Sequence, residues 1–472
     1  MSTAEWEAVV GLEIHVHLKT RTKMFCRCEL EYFAEPNTRT CPVCLAHPGA
    51  LPVANRRAVE WTIKLGLALG CEIADEAVFS RKHYWYPDLP KGYQISQYDR
   101  PLCAGGSLLV PEAEGERRIG FVRAHLEEDA AKTVHVGGAT GRKVGSGYSL
   151  VDFNRGGTPL VEIVTQPDIR SAEEAVRFLR LLRQTIVELG ISDAEMEKGT
   201  LRADANVSVR PSGSEELRMR WELKNMNSFT FIGRGIEKAV RDQVALYEAG
   251  APVEQNTYDY EPGNDRLTPH RTKEEADDYR YFPEPDLVPL RPARDTVERL
   301  RAEIGELPGR RIVLLREELG AATAQTLVTG GLDRLWAATR DAGAEPVAAA
   351  NVIANQLVGA GVDVSRVSPA ELAKLVSARD EIPRQAFDEA IAHAGDDGFT
   401  ADPYLARKAV ADTSALGPVI DEVLASNAAE VEAYRNGKSG LLGFFVGQVM
   451  KATNGQADVR VVNELVREKL GS

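Results

Sequence analysis

Between Val9 and Lys19 the chain alternates strictly: Leu12, Ile14, Val16 and Leu18 are aliphatic, and Gly11, Glu13, His15 and His17 stand between them. Successive side chains of a strand point to opposite faces, so one face enters a core and the other presents a carboxylate and two imidazoles. That face is open to two readings: a half-exposed strand with a polar outer side, or a surface that holds a divalent cation or a phosphate-bearing ligand. The pattern recurs. Residues 119–130 put Arg123, His125, Glu127 and Asp129 on one parity, and Glu128 breaks the apolar parity where the strand should end. Within 149–168, Asp152, Asn154 and Arg155 lead into the turn Gly156-Gly157. Glu162 then sits inside the apolar run Leu160 to Val164, where a carboxylate is costly unless paired or coordinating.

Two further stretches follow the same rule. Leu201, Ala203, Ala205, Val207 and Val209 face inward against Arg202, Asp204, Asn206, Ser208 and Arg210. Leu217, Met219, Trp221 and Leu223 face inward against Arg218, Arg220, Glu222 and Lys224. Together these segments predict antiparallel strands of one sheet, apolar on one face and polar on the other. Helical spacing predicts helices over 56–69, closed by Gly70, and over 171–189, opened by the capping box Ser171–Glu174. After about Arg294 the strands stop and the composition turns to Ala, Leu, Arg and Glu at helical spacing. The Pro- and acid-rich segment 250–292 marks the border, and a second break is expected near 395–403.

A length of 472 residues exceeds one ordinary core and predicts two or three domains. With 43% hydrophobic and 27% charged residues the composition is that of a soluble globular protein. The opening Met-Ser-Thr-Ala-Glu-Trp-Glu has neither the basic start nor the apolar core of a signal peptide, and no stretch has the apolar length of a membrane span, so a cytoplasmic protein is expected. A net charge of −13 argues against nucleic-acid binding by bulk electrostatics. Residues 435–472 run against it, with six Lys/Arg and three Asp/Glu (6 − 3 = +3), which suits either a solvated helix face or a basic patch.

Candidate chemistry gathers in three places. Cys26-Arg-Cys28 and Cys41-Pro-Val-Cys44 are paired thiols at spacings that fit a structural tetrahedral zinc site with no position left for water. Cys71 and Cys103 stand apart and are expected to be buried free thiols. Phe79 to Tyr98 interleaves Tyr and Trp with Arg81, Lys82, His83 and Lys91, and reads either as a loop that stacks on a ring and pairs with phosphates or as an aromatic packing loop. The third place is the polar sheet face. If Glu13, Glu127 and Glu162 converge, each pair about 4 Å apart repels by roughly 4 kcal/mol at an effective dielectric of 20. A divalent cation removes that penalty, and His15 can complete its shell. Mg²⁺ prefers few carboxylates plus substrate oxygens, which implies a nucleotide or another phosphate, with Arg123, Arg155, Arg202, Lys82 and Lys224 as counter-charges. No Walker loop serves it: Asn436-Gly437-Lys438-Ser439 has Glu432 where the first glycine belongs, and no Gly-x-Gly-x-x-Gly follows a strand.

Several long phrases carry a resemblance. They are Val10-Gly11-Leu12-Glu13-Ile14-His15, Tyr86 to Gln97 (YPDLPKGYQISQ), Leu126-Glu127-Glu128-Asp129, Val151 to Val164 (VDFNRGGTPLVEIV), Arg202 to Asn206 (RADAN), Glu222 to Ser228 (ELKNMNS) and Asp278 to Asp286 (DYRYFPEPD). On these the chain resembles, nearly end to end, the GatB family of the glutamine-dependent aspartyl/glutamyl-tRNA(Asn/Gln) amidotransferases. The expected fold is α+β. It comprises a mostly antiparallel-sheet cradle domain with a zinc knuckle over 1–294, an all-α middle domain over 295–398, and an all-α, YqeY-like tail over 399–472. The resemblance implies that the tail grips tRNA, through the phrases that include Lys438 and Lys451.

The activity implied is ATP- and Mg²⁺-dependent phosphorylation of the side-chain carboxylate of mischarged Glu-tRNA(Gln) or Asp-tRNA(Asn), followed by amidation with ammonia. Activation is physically required, because a carboxylate is a poor electrophile until one oxygen becomes a phosphate leaving group. In the family an amidase (A) subunit frees the ammonia from glutamine and a small C subunit steadies the pair. This chain shows no nucleophile elbow or Ser-rich amidase signature, and it is too short for the inserted synthetase-like domain of the archaeal relative, which favours the three-subunit form. Carried over residue by residue, Glu13, His15, Glu127 and Glu162 are implied as the Mg²⁺ shell. Lys82 is implied as a phosphate contact, Lys91, Arg155 and Asp204 as further ATP contacts, and Cys26, Cys28, Cys41 and Cys44 as the zinc knuckle. Glu128 is the alternative to Glu127, with strand parity favouring Glu127. His17 departs from the acidic or amide residue of many relatives. The rival reading is a non-catalytic, zinc-bearing tRNA-binding scaffold; a third is a free-standing amide synthetase for a small acid.

Overall fold

The computed structural model describes residues 6–31, 33–112, 115–137, 145–271, 279–407 and 412–471. The opening residues 1–5 and Asp278, which begins the Asp278–Asp286 phrase, lie outside them. The chain divides into two compact units, Met1–Arg311 and Ile312–Ser472.

The first unit is built on strands. They are β1 (Trp6–His17), β2 (Glu72–Ile73), β3 (Ser80–His83), β4 (Tyr93–Ser96), β5 (Cys103–Ala104) and β6 (Ser107–Pro111). There follow β7 (Glu116–Glu128), β8 (Lys132–Val136), β9 (Tyr148–Asp152), β10 (Pro159–Thr165) and β11 (Leu201–Pro211). The last are β12 (Trp221–Lys224), β13 (Asn256–Glu261), β14 (Arg266–Arg271) and β15 (Phe282–Pro283). Ten of them form one sheet in the order β14-β13-β12-β11-β1-β10-β7-β5-β2, with β6 paired to β7. Its ladders are antiparallel except for the parallel β12–β13 pair. Strands β15, β3 and β4 make a small sheet, and β8 and β9 a hairpin.

The alternation in β1 is obeyed. Leu12, Ile14 and Val16 are buried, while Glu13 and His15 are half-buried on the other side. Helices α1 (Arg56–Ala68), α2 (Ala172–Glu188) and α3 (Phe229–Glu248) supply the partner layer, with α3 against β11 and α2 against α3. The α3–sheet approach is close at Gly235, where a Cβ would stand 2.9 Å from Met226 Sδ and 3.6 Å from Leu223 Cδ1. Ser171 caps α2 by accepting a hydrogen bond from the Glu174 N–H at 3.1 Å.

Two segments differ from the sequence reading. Leu217 and Met219 do not face inward on a strand; they are 64% and 54% exposed, and β12 begins only at Trp221. The ladders explain this, because β11 pairs with β12 from Trp221 onward and β13 joins at the same residue, leaving residues 217–220 without a neighbour to complete a strand. The segment 250–292, read from composition as a border, contributes β13 and β14 to the large sheet and β15 to the small one. Its β-formers Thr257, Tyr258 and Tyr260 were a strand signal hidden among Pro and acidic residues.

The second unit is helical among the described residues. It holds one core that includes Trp336, Leu357, Leu372 and Phe387, and another that includes Ile420, Phe445, Val449 and Val462. Among the described residues no helix is long and apolar enough to cross a membrane.

Candidate active site

Register places the polar residues. His15 lies opposite Arg202 of β11 on one side and Glu162 of β10 on the other, and Glu162 lies opposite His125 of β7. Directly opposed residues of a ladder share a face, so Arg202, His15, Glu162 and His125 form one row across four strands. Glu127, two residues beyond His125, adds the next step on the same face.

Within this array His15 Nε2 lies 3.6 Å from Glu127 Oε1 and 3.8 Å from Glu162 Oε2. One donor atom from each of His15, Glu127 and Glu162 lies within 4.8 Å of the others. Burial and the neighbouring Glu162 charge push the Glu127 carboxyl up, only partly offset by His15 and Lys82. Burial acts on Glu162 in the same sense, but His125, whose Nε2 is 3.3 Å away, together with His15 and Lys82 holds that carboxyl well below the usual range. One buried and one half-buried carboxylate with an imidazole suit a divalent cation that keeps positions for water or substrate oxygens.

The other expected residues fall into different surroundings. Glu13 sits one pleat along β1 and accepts a hydrogen bond from Asn206 Nδ2 at 2.9 Å; it is outside the three-residue cluster. Glu128 points elsewhere, accepting from Lys91 Nζ at 2.5 Å and from the Ile95 N–H at 3.0 Å. Lys91 therefore lines a separate cavity of about 270 Å³ shared with Cys26 and Cys44. Lys82 stands over the Tyr279 ring at 4.8 Å and lines a cavity of about 570 Å³ that also contains His15, Glu127, Asp129 and Arg202. Arg155 and Asp204 line that cavity too. Arg155 donates to the carbonyls of Ala130 and Ala131, both at 2.9 Å, and Asp204 accepts from Lys224 at 2.7 Å. Lys438 and Lys451 are exposed, in the second unit, before and within the helix Leu442–Ala452.

Three participants have no role in the reading from sequence. His125 is buried against Glu162, and its signal was its place on the same parity as Glu127. Asp129 is buried and gathers His17 Nε2 at 2.7 Å, Arg202 Nη2 at 2.9 Å and Arg155 Nε at 3.6 Å. Burial opposes its ionisation, yet the His17 hydrogen bond and the two guanidinium groups hold its carboxyl well below the usual range. His17 is thereby accounted for as a partner of Asp129. A third cavity of about 520 Å³, lined by His17, Phe33, Lys132, Arg155 and Arg202, adjoins this group.

The four cysteines also meet. Sulfurs of Cys26, Cys28, Cys41 and Cys44 lie within 4.8 Å of one another and could hold a metal ion. The Cys41 N–H donates to Cys44 Sγ at 3.1 Å. A hydrogen bond from Cys26 brings the Cys44 thiol down to about 4, while burial pushes Cys28 up to about 11. Four sulfurs gathered at this spacing are a set that a thiophilic dication completes.

A sheet cradle with an acidic–imidazole cluster, followed by helices, is the arrangement of a catalytic module with a helical appendage, and comparison with known families gives the class. Residues 8–298 match the GatB/GatE catalytic domain, and residues 335–470 match a GatB domain. The chain is 44% identical to the GatB-type polypeptide of the aspartyl/glutamyl-tRNA(Asn/Gln) amidotransferase of Syntrophotalea carbinolica, covering 99% of each. It is 45% identical to that of Moorella thermoacetica, over 99% of this chain and 100% of the relative, and 46% identical to that of Geobacter sulfurreducens, over 98% and 99%. The chain belongs to the GatB family of aspartyl/glutamyl-tRNA(Asn/Gln) amidotransferase subunits.

Proposed function

We propose that this chain is the ATP-dependent component of a tRNA-dependent amidotransferase, acting on Glu-tRNA(Gln) or Asp-tRNA(Asn) with an amidase subunit and a small third subunit. The observation that carries this reading is the convergence of His15, Glu127 and Glu162, of which His15 and Glu127 line a cavity of about 570 Å³ together with Lys82 and Arg202. The side-chain carboxylate of the aminoacyl group attacks the γ-phosphorus of ATP. A carboxylate oxygen–phosphorus bond forms, the bond to the β–γ bridging oxygen breaks, and ADP leaves with the electron pair. Ammonia then displaces phosphate to give the amide.

His15, Glu127 and Glu162 would hold Mg²⁺, which when bound supplies positive charge to the phosphate oxygens. Lys82, already close enough to Glu127 and Glu162 to affect both, supplies a further cation at the same cavity. The four cysteines would hold structural zinc. Glu13, on the same strand face as His15, is read as a further carboxylate near the site, held by Asn206. The helical core from Leu416 to Leu470, with the exposed Lys438 and Lys451, is read as the part that grips tRNA. A cytoplasmic location is consistent with a tRNA substrate.

The test is reconstitution: the chain is purified with its partner subunits and supplied with mischarged tRNA, ATP and glutamine. Tied ATP cleavage and amide formation are expected. Tight tRNA binding with neither product would favour the scaffold reading instead.

A further inference from the structure

The cations at the larger cavity are not equivalent. Lys224 is held by Asp204 at 2.7 Å and Glu222 at 3.3 Å, and Arg155 by two backbone carbonyls. Arg202 differs. Among the described residues its one hydrogen-bond partner is Asp129, through Nη2; its Nε is enclosed without a partner, and 42% of the side chain remains accessible. It lies directly opposite His15 in the β1–β11 ladder, and it lines both the cavity of about 570 Å³ and that of about 520 Å³. A group facing both cavities stands where two substrates, one in each, would meet.

We propose that Arg202 stabilises the charge of the phosphoryl group in flight, and that Asp129, braced by His17, is the residue that positions it. The inference rests on the ATP-dependent reading above and deepens it. In the transfer already described no proton changes hands, so what this chain must supply is fixed positive charge around the equatorial phosphoryl oxygens. A guanidinium is suited to this because it stays charged and presents donors along more than one edge. Asp129 binds Nη2 of Arg202, Nε is enclosed, and the accessible part of the side chain lines the two cavities. Asp129 is itself fixed, taking a hydrogen bond from the buried His17 and one from the Ala130 N–H at 2.9 Å. An Arg–Asp pair serving only to brace the wall would not need the arginine to remain accessible from both sides.

The test uses the assembled complex with mischarged tRNA and follows ATP cleavage in the steady state at saturating substrates. The wild type is measured first; inactivity there overturns the ATP-dependent reading and this inference with it. With an active wild type, Arg202→Ala is expected to lower kcat by about 10³-fold while nucleotide and tRNA affinities stay within about threefold. Asp129 keeps His17 and Arg155 in that variant, so the fold should survive. Added guanidinium should restore part of the lost rate, and Arg202→Lys should not. Asp129→Asn should lower kcat in the same direction, and the double variant should be no slower than Arg202→Ala alone. A near-wild-type rate for Arg202→Ala, a loss confined to affinity, or a rate that guanidinium leaves unchanged would overturn the role of Arg202. Full activity of Asp129→Asn, or additive losses in the double variant, would overturn the positioning role of Asp129.

Discussion

His15 stands opposite Glu162 in the β1–β10 ladder, and its Nε2 lies 3.8 Å from the Glu162 carboxylate. The relationship follows from strand pairing, since opposed residues share a face and their separation is set by the backbone. A slip of one residue would turn one of them into the apolar layer, so the buried Leu12, Ile14 and Val16 that fix the register also fix the cluster. The site is therefore assembled by the fold before any ligand arrives.

The cysteine cluster predicts a metal content. About one equivalent of zinc should accompany the purified chain, and Cys41→Ser should lower both that content and the thermal midpoint. Metal analysis beside a melting curve checks this, and unchanged zinc in the variant would refute the site.

The buried thiols should label more slowly than Cys44. Burial pushes Cys71 up to about 11, so at pH 8 it is a smaller fraction thiolate than an ordinary cysteine, and its alkylation should be slow. The rate should climb as pH rises toward that value. In chelator-treated protein, rate-resolved labelling should show Cys44 fast, with Cys28, Cys71 and the fully buried Cys103 slow. Fast labelling of Cys71 at pH 8 would contradict its burial.

The boundary of β12 can be tested by stability. Leu217→Ser and Met219→Ser should each change unfolding free energy by no more than about 0.5 kcal/mol, because both side chains already meet solvent. Leu223→Ala, in the buried run of the same strand, should cost about 2–5 kcal/mol. Denaturant titration separates the two outcomes, and a large loss at Leu217 would restore the longer strand.

At the start of α2, Ser171→Ala removes the acceptor for the Glu174 N–H and should cost about 1 kcal/mol. Ser171→Asp should recover most of it, as read by the same titration.

Much of the sheet was legible because alternation and burial are the same physical fact. Val9 to Lys19, Leu201 to Arg210 and the run around Glu162 each announced which side chains lie on the polar face, although His17 and Ser208 on that face are buried. The limits were equally physical. Leu217 and Met219 alternate correctly, but a strand also needs a neighbour, and pairing partners are not written locally. Thr257 to Tyr260 was obscured by surrounding Pro and acidic residues, whose composition spoke for a linker. At the site, parity distinguished Glu127 from Glu128, whereas the assembly of His17, Arg155 and Arg202 around Asp129 depends on chain crossings that no spacing reveals.

The central claim is that the clustered carboxylates serve phosphoryl transfer, and Glu162→Gln tests it most directly because it keeps size and removes charge. In the assembled complex with mischarged tRNA, the variant should lose ATP cleavage and amide formation by at least about 100-fold while binding tRNA as the wild type does. Amide formation at the wild-type rate by Glu162→Gln would contradict the account.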